Sequence, residues 1–188
     1  MRRLLLIGTA LVPLVASPAK AEPIAFGVWY EFVHSGAGTF VQSCQGVLCT
    51  PSSTGNSMYA PEQPWTVLLN APGVLTIADA FASGDQFEAF SNGQSLGLTS
   101  EPIDFQHCGS DPAACINAFG MSSGMFGLSA GKHLLSIRTF ASRAGAGASF
   151  FRVDAPAVVP EPSSLILFGS GLYLVRRLRQ RTSAARQS

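Results

Sequence analysis

Between residues 22 and 157 the chain sustains no long amphipathic helical period. It runs instead as short apolar stretches punctuated by Gly, Pro, Asn and Ser. Ile24 to Phe32 is rich in aromatics, and Trp65 to Leu69 is a short apolar run. Val74 to Phe81 follows the turn pair Pro72-Gly73. Gln86 to Phe90 and Gln94 to Leu98 flank Asn92-Gly93, a strong two-residue hairpin signal because both positions tolerate positive φ. Met125 to Leu128 and His133 to Phe140 flank Ser129-Ala130-Gly131, and Ser149 to Val153 ends the series. Alternate residues of the His133–Phe140 run put Leu135 and Ile137 on one face and Ser136 and Arg138 on the other, the period of a strand with one wet face. Strands of this length and spacing, without intervening helices, predict an all-β, antiparallel β-sandwich or jelly-roll-like single domain. Residues 34–64, with seven glycines and prolines, read as a long loop carrying one strand at most.

Charge divides the chain into parts. Of 188 residues only 12% are charged, against roughly 25% in an ordinary soluble domain, and the formal net charge is +1. Residues 1–21 carry Arg2, Arg3 and Lys20 and no acid. Residues 158–188 carry Arg176, Arg177, Arg179, Arg181 and Arg186 with the single acid Glu161. The middle keeps four basic and ten acidic groups, a net of −6. That balance argues against nucleic acid as a partner, because the domain has no basic face to neutralise phosphates.

The N-terminal part has the order of a secretory signal peptide: the basic start Met1-Arg2-Arg3, an apolar run from Leu4 to Val15, then small residues at Ala19 and Ala21 that place cleavage after Ala21. The arginine pair lacks the polar lead-in of twin-arginine export, so the general secretory route is expected. At the other end Pro160-Glu161-Pro162 precedes an apolar run from Leu165 to Val175 and an arginine cluster from Arg176 to Arg181. As a helix that run reaches roughly 16–17 Å, short of the about 30 Å hydrocarbon core, with snorkelling arginines extending it. The arginines orient it outside-to-inside, as a short C-terminal transmembrane helix with residues 182–188 as a cytoplasmic tail.

Residues 158–181 resemble the PEP-CTERM sorting tail of exported proteins of Gram-negative bacteria: the triplet Pro160, Glu161 and Pro162, a short apolar helix and an arginine-rich end. The resemblance implies that exosortase, a membrane enzyme, recognises the tail and processes the protein at or near the triplet. It also implies transient membrane anchoring, then residence at the cell surface or in the extracellular matrix of bacteria that make exopolysaccharide and biofilm. The prolines hold the triplet extended, the form a processing cleft accepts. Gly73–Ser100 and Phe150–Asp154 resemble the single β-domain of many secreted PEP-CTERM proteins, which implies no particular activity for residues 22–157.

Four cysteines, Cys44, Cys49, Cys108 and Cys115, lie in the exported segment, so disulfides are expected. Three pairings are possible. Two short loops, 44–49 and 108–115, need the least chain organisation and are the expected pair. A metal site of His107 with cysteines is disfavoured, because oxidised cysteines are poor ligands. Gly120-Met121-Ser122-Ser123-Gly124 has the letters of a nucleophile elbow, but a strand-like segment follows where a helix is required, and His133 precedes the last plausible acid, Asp154. It reads as a glycine- and serine-rich loop. Of the histidines His34, His107 and His133, the last is expected at the surface beside Lys132.

Asp79, Asp85 and Glu88 gather around the Ser83-Gly84 turn. They are weak candidates for a calcium site, since hard oxygen ligands suit Ca²⁺. They also fit paired acids for glycoside hydrolysis, or an ordinary solvated turn, and the solvated turn is the expectation. Trp29, Tyr30, Tyr59 and Trp65 would serve as a sugar-stacking face or as core, and core is the expected use of both tryptophans. The sequence thus points to an exported, non-enzymatic surface or matrix protein without a required cofactor. It would be a structural or carbohydrate-binding module linked to exopolysaccharide. The alternative is a secreted polysaccharide-acting hydrolase, which would need two titratable groups, such as two of Asp79, Asp85, Glu88 and Asp104, across a cleft.

Overall fold

The computed structural model describes residues 22–44, 49–143 and 145–155. The signal peptide with Ala19 and Ala21, the Pro160-Glu161-Pro162 triplet, the expected C-terminal helix and the 182–188 tail lie outside the described residues. Among the described residues no helix is long and apolar enough to cross a membrane.

In chain order the elements are β1 (Glu22–Pro23), β2 (Trp29–His34), β3 (Gln42–Ser43), β4 (Ser57–Tyr59), β5 (Trp65–Leu69), β6 (Gly73–Asp79) and β7 (Phe81–Ala82). There follow β8 (Asp85–Ser91), β9 (Gln94–Leu98), β10 (His107–Gly109), α1 (Pro112–Asn117), β11 (Ser123–Leu128), β12 (Gly131–Ser142) and β13 (Gly147–Asp154). One sheet is ordered β1-β5-β12-β8-β9. The other is ordered β11-β6-β13-β2-β3, with β4 also on β2, and β10 and β7 form a small pair. Pairing is antiparallel except at β1–β5 and β2–β4.

Taken in sequence, the longer strands β2, β5, β6, β8, β9, β11, β12 and β13 lie as 1-8-3-6 in one sheet and 2-7-4-5 in the other. That is the two-Greek-key order of a jelly roll. The Asn92-Gly93 turn closes β8 to β9 with φ of 52° and 78°, the left-handed pair of a type I′ hairpin.

Period-2 alternation supplies the core. Tyr30 and Phe32 of β2, Leu75 and Ile77 of β6, and Phe151 and Val153 of β13 face Trp65 and Val67 of β5, Phe87 and Ala89 of β8, and Leu135 and Ile137 of β12. Rings interlock between the sheets, with Phe32 edge-on to Phe87 at 5.3 Å and Trp65 stacked on Phe151 at 4.1 Å. Both tryptophans are buried, as expected.

The outer face of the β2-containing sheet is not bare. Trp29, Ala78, Ala80 and Phe150 pack under Cys115, with Cys108, Ile116 and Phe81 against them. The covering segment is held by the Cys108–Cys115 disulfide, while Cys44–Cys49 closes the other short loop. Within the cover, Asp111 N-caps α1 by accepting from Ala113 N at 3.1 Å, and Pro112 occupies the first turn. The helix was not expected, because six residues are too few to display a period.

Other departures have simple causes. The first aromatic run becomes a strand only at Trp29, since Gly27 takes φ of 72° and breaks extension upstream. Among the described residues of 34–64 there are two short strands, β3 and β4, rather than one. His133 is not at the surface. It shares the inward face with Leu135 and Ile137, is 6% exposed, and its ring nitrogens meet Ser91 Oγ and Ser129 O at 2.8 Å each. Its polar partners allow a histidine to hold an inward position.

Candidate functional site

The outer face of the β5-β12-β8 sheet carries a groove. Past Trp65, β5 gives way to Gln63, whose side-chain amide takes over as a strand mimic. Its Nε2 donates to Val41 O and, at 3.3 Å, to Ile137 O, and its Oε1 accepts from Ile137 N at 2.9 Å. Residues 38–41 then run along β12, with Val41 N bonded to Ile137 O and Thr139 N to Thr39 O. This detour leaves a groove of about 430 Å³ lined by Phe40, Gln42, Glu62, Pro64 and Ser136.

Aromatic and planar charged groups border the groove. Phe40 is 53% exposed and lies 6.0 Å from the ring of Phe90, which is paired with Ser136 across β8–β12. The Arg138 guanidinium lies over Phe90 at 5.4 Å and pairs with Glu88, whose Oε1 accepts from Ser95 Oγ at 2.7 Å. The Ser95 hydroxyl does most to hold the Glu88 carboxyl below its ordinary range; burial opposes it, and the hydrogen bond and charge of Arg138 add smaller downward effects. Arg138 Nε is without a partner.

A second arrangement lies between the sheets at one end. The inward positions of β2, β6, β8 and β13 continue past the apolar core as His34, Asp79, Asp85 and Ser149. His34 Nε2 stands 3.4 Å from Asp85 Oδ2, and His34, Asp79 and Asp85 each offer a ligand atom within 4.8 Å of the others. Asp79 Oδ1 accepts from Ala80 N at 2.9 Å and Ser149 Oγ at 3.2 Å, and Oδ2 from Asp85 N at 3.4 Å. Burial, with the charge of Asp85 adding to it, pushes the Asp79 carboxyl up to about 8 despite those hydrogen bonds. Burial also pulls His34 below its usual value, against the attraction of Asp85.

The three acids read as one turn therefore separate. Asp79 and Asp85 are buried together, not solvated, because their alternation with Ile77 and Phe87 turns both inward. Glu88 points outward to Arg138. Asp104 pairs with Arg143 elsewhere. No two of these four acids face each other across an open cleft among the described residues.

Ser122 is fully buried and hydrogen-bonded to Thr99 Oγ1 and Ser100 O, and a strand follows it. Of the aromatics named for sugar stacking, Trp29, Tyr30 and Trp65 are buried and Tyr59 is exposed. His107 is exposed, and its neighbour Cys108 is disulfide-bonded. Two residues were missed: Phe40, hidden in a loop, and His34, whose even-numbered spacing from Tyr30 and Phe32 was its available signal.

No protein-family model and no curated protein matches the chain. Among solved structures it is similar to the CBM35 from Cellvibrio japonicus Abf62, at TM-score 0.35 and 14% identity, over 66% of this chain and 96% of that one. This likeness is too weak to assign a fold or a ligand.

Proposed function

We propose that the protein is an exported, non-enzymatic glycan-binding module of the cell surface or extracellular matrix, delivered by its signal peptide and sorted by exosortase through the PEP-CTERM-like tail. The observation that carries the binding reading is the groove beside Phe40, Phe90 and Arg138. Sugars present apolar C–H faces that stack on aromatic rings, and vicinal hydroxyls that bond to planar charged groups such as Arg138, Glu62 and Glu88. An exopolysaccharide chain would lie along the outer face, where Leu68, Leu134 and Phe140 are also exposed. The buried Asp79–Asp85 pair, closed to a polymer, gives the hydrolase alternative no support. The two disulfides suit an oxidising compartment.

A glycan array with the purified exported protein tests the reading. Phe40→Ala and Arg138→Ala are each expected to weaken binding at least tenfold while leaving the melting temperature close to that of the parent. A folded protein that binds no glycan, or binding indifferent to both changes, overturns it.

A further inference from the structure

We infer that His34, Asp79 and Asp85 form a buried binding site for one divalent first-row transition-metal ion of the Zn²⁺ or Mn²⁺ kind. The inference is independent of the glycan-binding reading.

Two observations beyond the clustering of carboxylates point to a ligand. His34 is 1% exposed, and neither of its ring nitrogens has a hydrogen-bond partner, although Nε2 stands 3.4 Å from Asp85 Oδ2. Asp85 Oδ1 is likewise buried without a partner. Buried polar atoms are nearly always satisfied, so an unpartnered imidazole whose Nε2 edge faces Asp85 and Gly147, beside an unpartnered Asp85 oxygen, calls for a ligand. A neutral ring with its proton on Nδ1 presents the Nε2 lone pair to a cation. Space is reserved as well. A Cβ on Gly147 would sit 2.9 Å from His34 Nε2 and 3.9 Å from Asp85 Oδ2, so the glycine keeps that side of the cluster open.

The donors choose the ion. A neutral imidazole and two carboxylates carry two negative charges, which a divalent cation cancels. Imidazole with carboxylate suits Zn²⁺ and its neighbours, with bonds of about 2.0–2.2 Å, and the 3.4 Å between His34 Nε2 and Asp85 Oδ2 already matches the spacing of two donors around such an ion. Calcium takes about 6–8 oxygens, more than this enclosed spot supplies. The Ala80 and Asp85 amides and Ser149 Oγ already orient the Asp79 carboxylate, as the outer partners of metal-bound carboxylates do.

The test uses the full chain from an exporting host, stripped with EDTA and titrated with Zn²⁺, Mn²⁺, Co²⁺, Ca²⁺ and Mg²⁺. One equivalent of Zn²⁺ per chain is expected, with an upward melting shift on the order of 5 °C at about 100 times Kd. Bound Co²⁺ should show a ligand-field absorption band. Asp79→Asn keeps the shape and the local hydrogen-bond acceptor, so it should fold while losing at least tenfold in Zn²⁺ affinity. His34→Gln is the second variant, and Gly147→Ala should weaken binding by filling the space beside Nε2. The inference is overturned by a folded protein that takes up no stoichiometric Zn²⁺ or Mn²⁺, by undiminished affinity in Asp79→Asn or His34→Gln, or by a response to Ca²⁺ alone.

Discussion

Trp65 and Phe151 stack at 4.1 Å, with planes 29° apart, although one belongs to β5 and the other to β13 of the opposite sheet. Both are fully buried, and Trp65 Nε1 also donates to Pro61 O at 2.9 Å, so the indole is satisfied at its polar end. Phe151 touches Tyr30 and Phe32 as well, at 5.4 and 6.2 Å. The pair is thus the centre of an aromatic layer joining the sheets. Phe151→Ala is expected to destabilise by about 3–5 kcal/mol, and Phe151→Leu by clearly less, since less volume is lost. Urea unfolding of the two variants checks the order.

Glu31 is fully buried on β2. Its Oε1 accepts from Thr50 N at 2.7 Å, and its Oε2 has no partner. Burial raises its carboxyl, and the Thr50 hydrogen bond only partly opposes this. A raised native pKa means that the native state holds the proton where the unfolded chain has released it. Stability therefore falls as pH rises through the interval above 4.5, the unfolded value. Glu31→Gln copies the protonated form and should stabilise the protein at pH 7 by about 1 kcal/mol, the scale of one relieved buried polar atom. The gain should vanish below the unfolded pKa. Melting curves of both proteins from pH 4 to 8 measure it, and an unchanging difference sinks the assignment.

Glu88 behaves oppositely. Its carboxyl is held low by Ser95 and Arg138, so its contribution is present above 4.5 and is lost as pH falls through the lower native value. Glu88→Gln should cost less than about 1 kcal/mol at pH 7, because Arg138 is partly exposed, and nothing in strong acid. If the Glu88–Arg138 pair shapes the groove, the same variant should weaken glycan binding more than it lowers stability. Parallel binding and melting measurements separate the two effects.

Much of the scaffold was legible because alternation is a backbone property. Leu135 and Ile137 inward, Ser136 and Arg138 outward, follow from pleat alone, and Asn92-Gly93 declares its hairpin. What was not legible depended on residues trading their usual roles. His133, Asp79 and Asp85 looked like surface groups by type, yet inward positions hold them because each found polar neighbours inside. The groove was hidden for another reason. It exists because residues 38–41 and the Gln63 side chain finish a sheet edge that β5 abandons, a pairing over long sequence separation with no local signature.

The Cys108–Cys115 disulfide secures the cover over Trp29 and leaves Trp65 untouched, and those are the two tryptophans of the chain. Replacing both cysteines by alanine should cost about 2 kcal/mol by the loop-closure argument for so short a loop. It should also make Trp29 accessible to acrylamide and red-shift part of the emission, while the Trp65 component stays blue and unquenched. Quenching of both tryptophans alike would show that the cover and the sandwich core melt together.

The sorting proposal makes its own demand on the chain. Proline disfavours helix, so the triplet Pro160-Glu161-Pro162 is expected to be read as an extended segment ahead of the apolar run at Leu165, and Glu161 is the one acid among residues 158–188. If the triplet is read as an extended strand by exosortase, replacing Pro160, Glu161 and Pro162 with alanine removes both the shape and the charge. The variant should then accumulate in the membrane fraction at the mass of the signal-cleaved, tail-bearing chain. The parent, in a host that has exosortase, should appear at a lower mass outside that fraction. Intact-mass measurement of both fractions decides the matter. An unchanged mature mass for the alanine variant would remove the triplet from the mechanism and leave Leu165–Val175 with its arginines as a simple anchor.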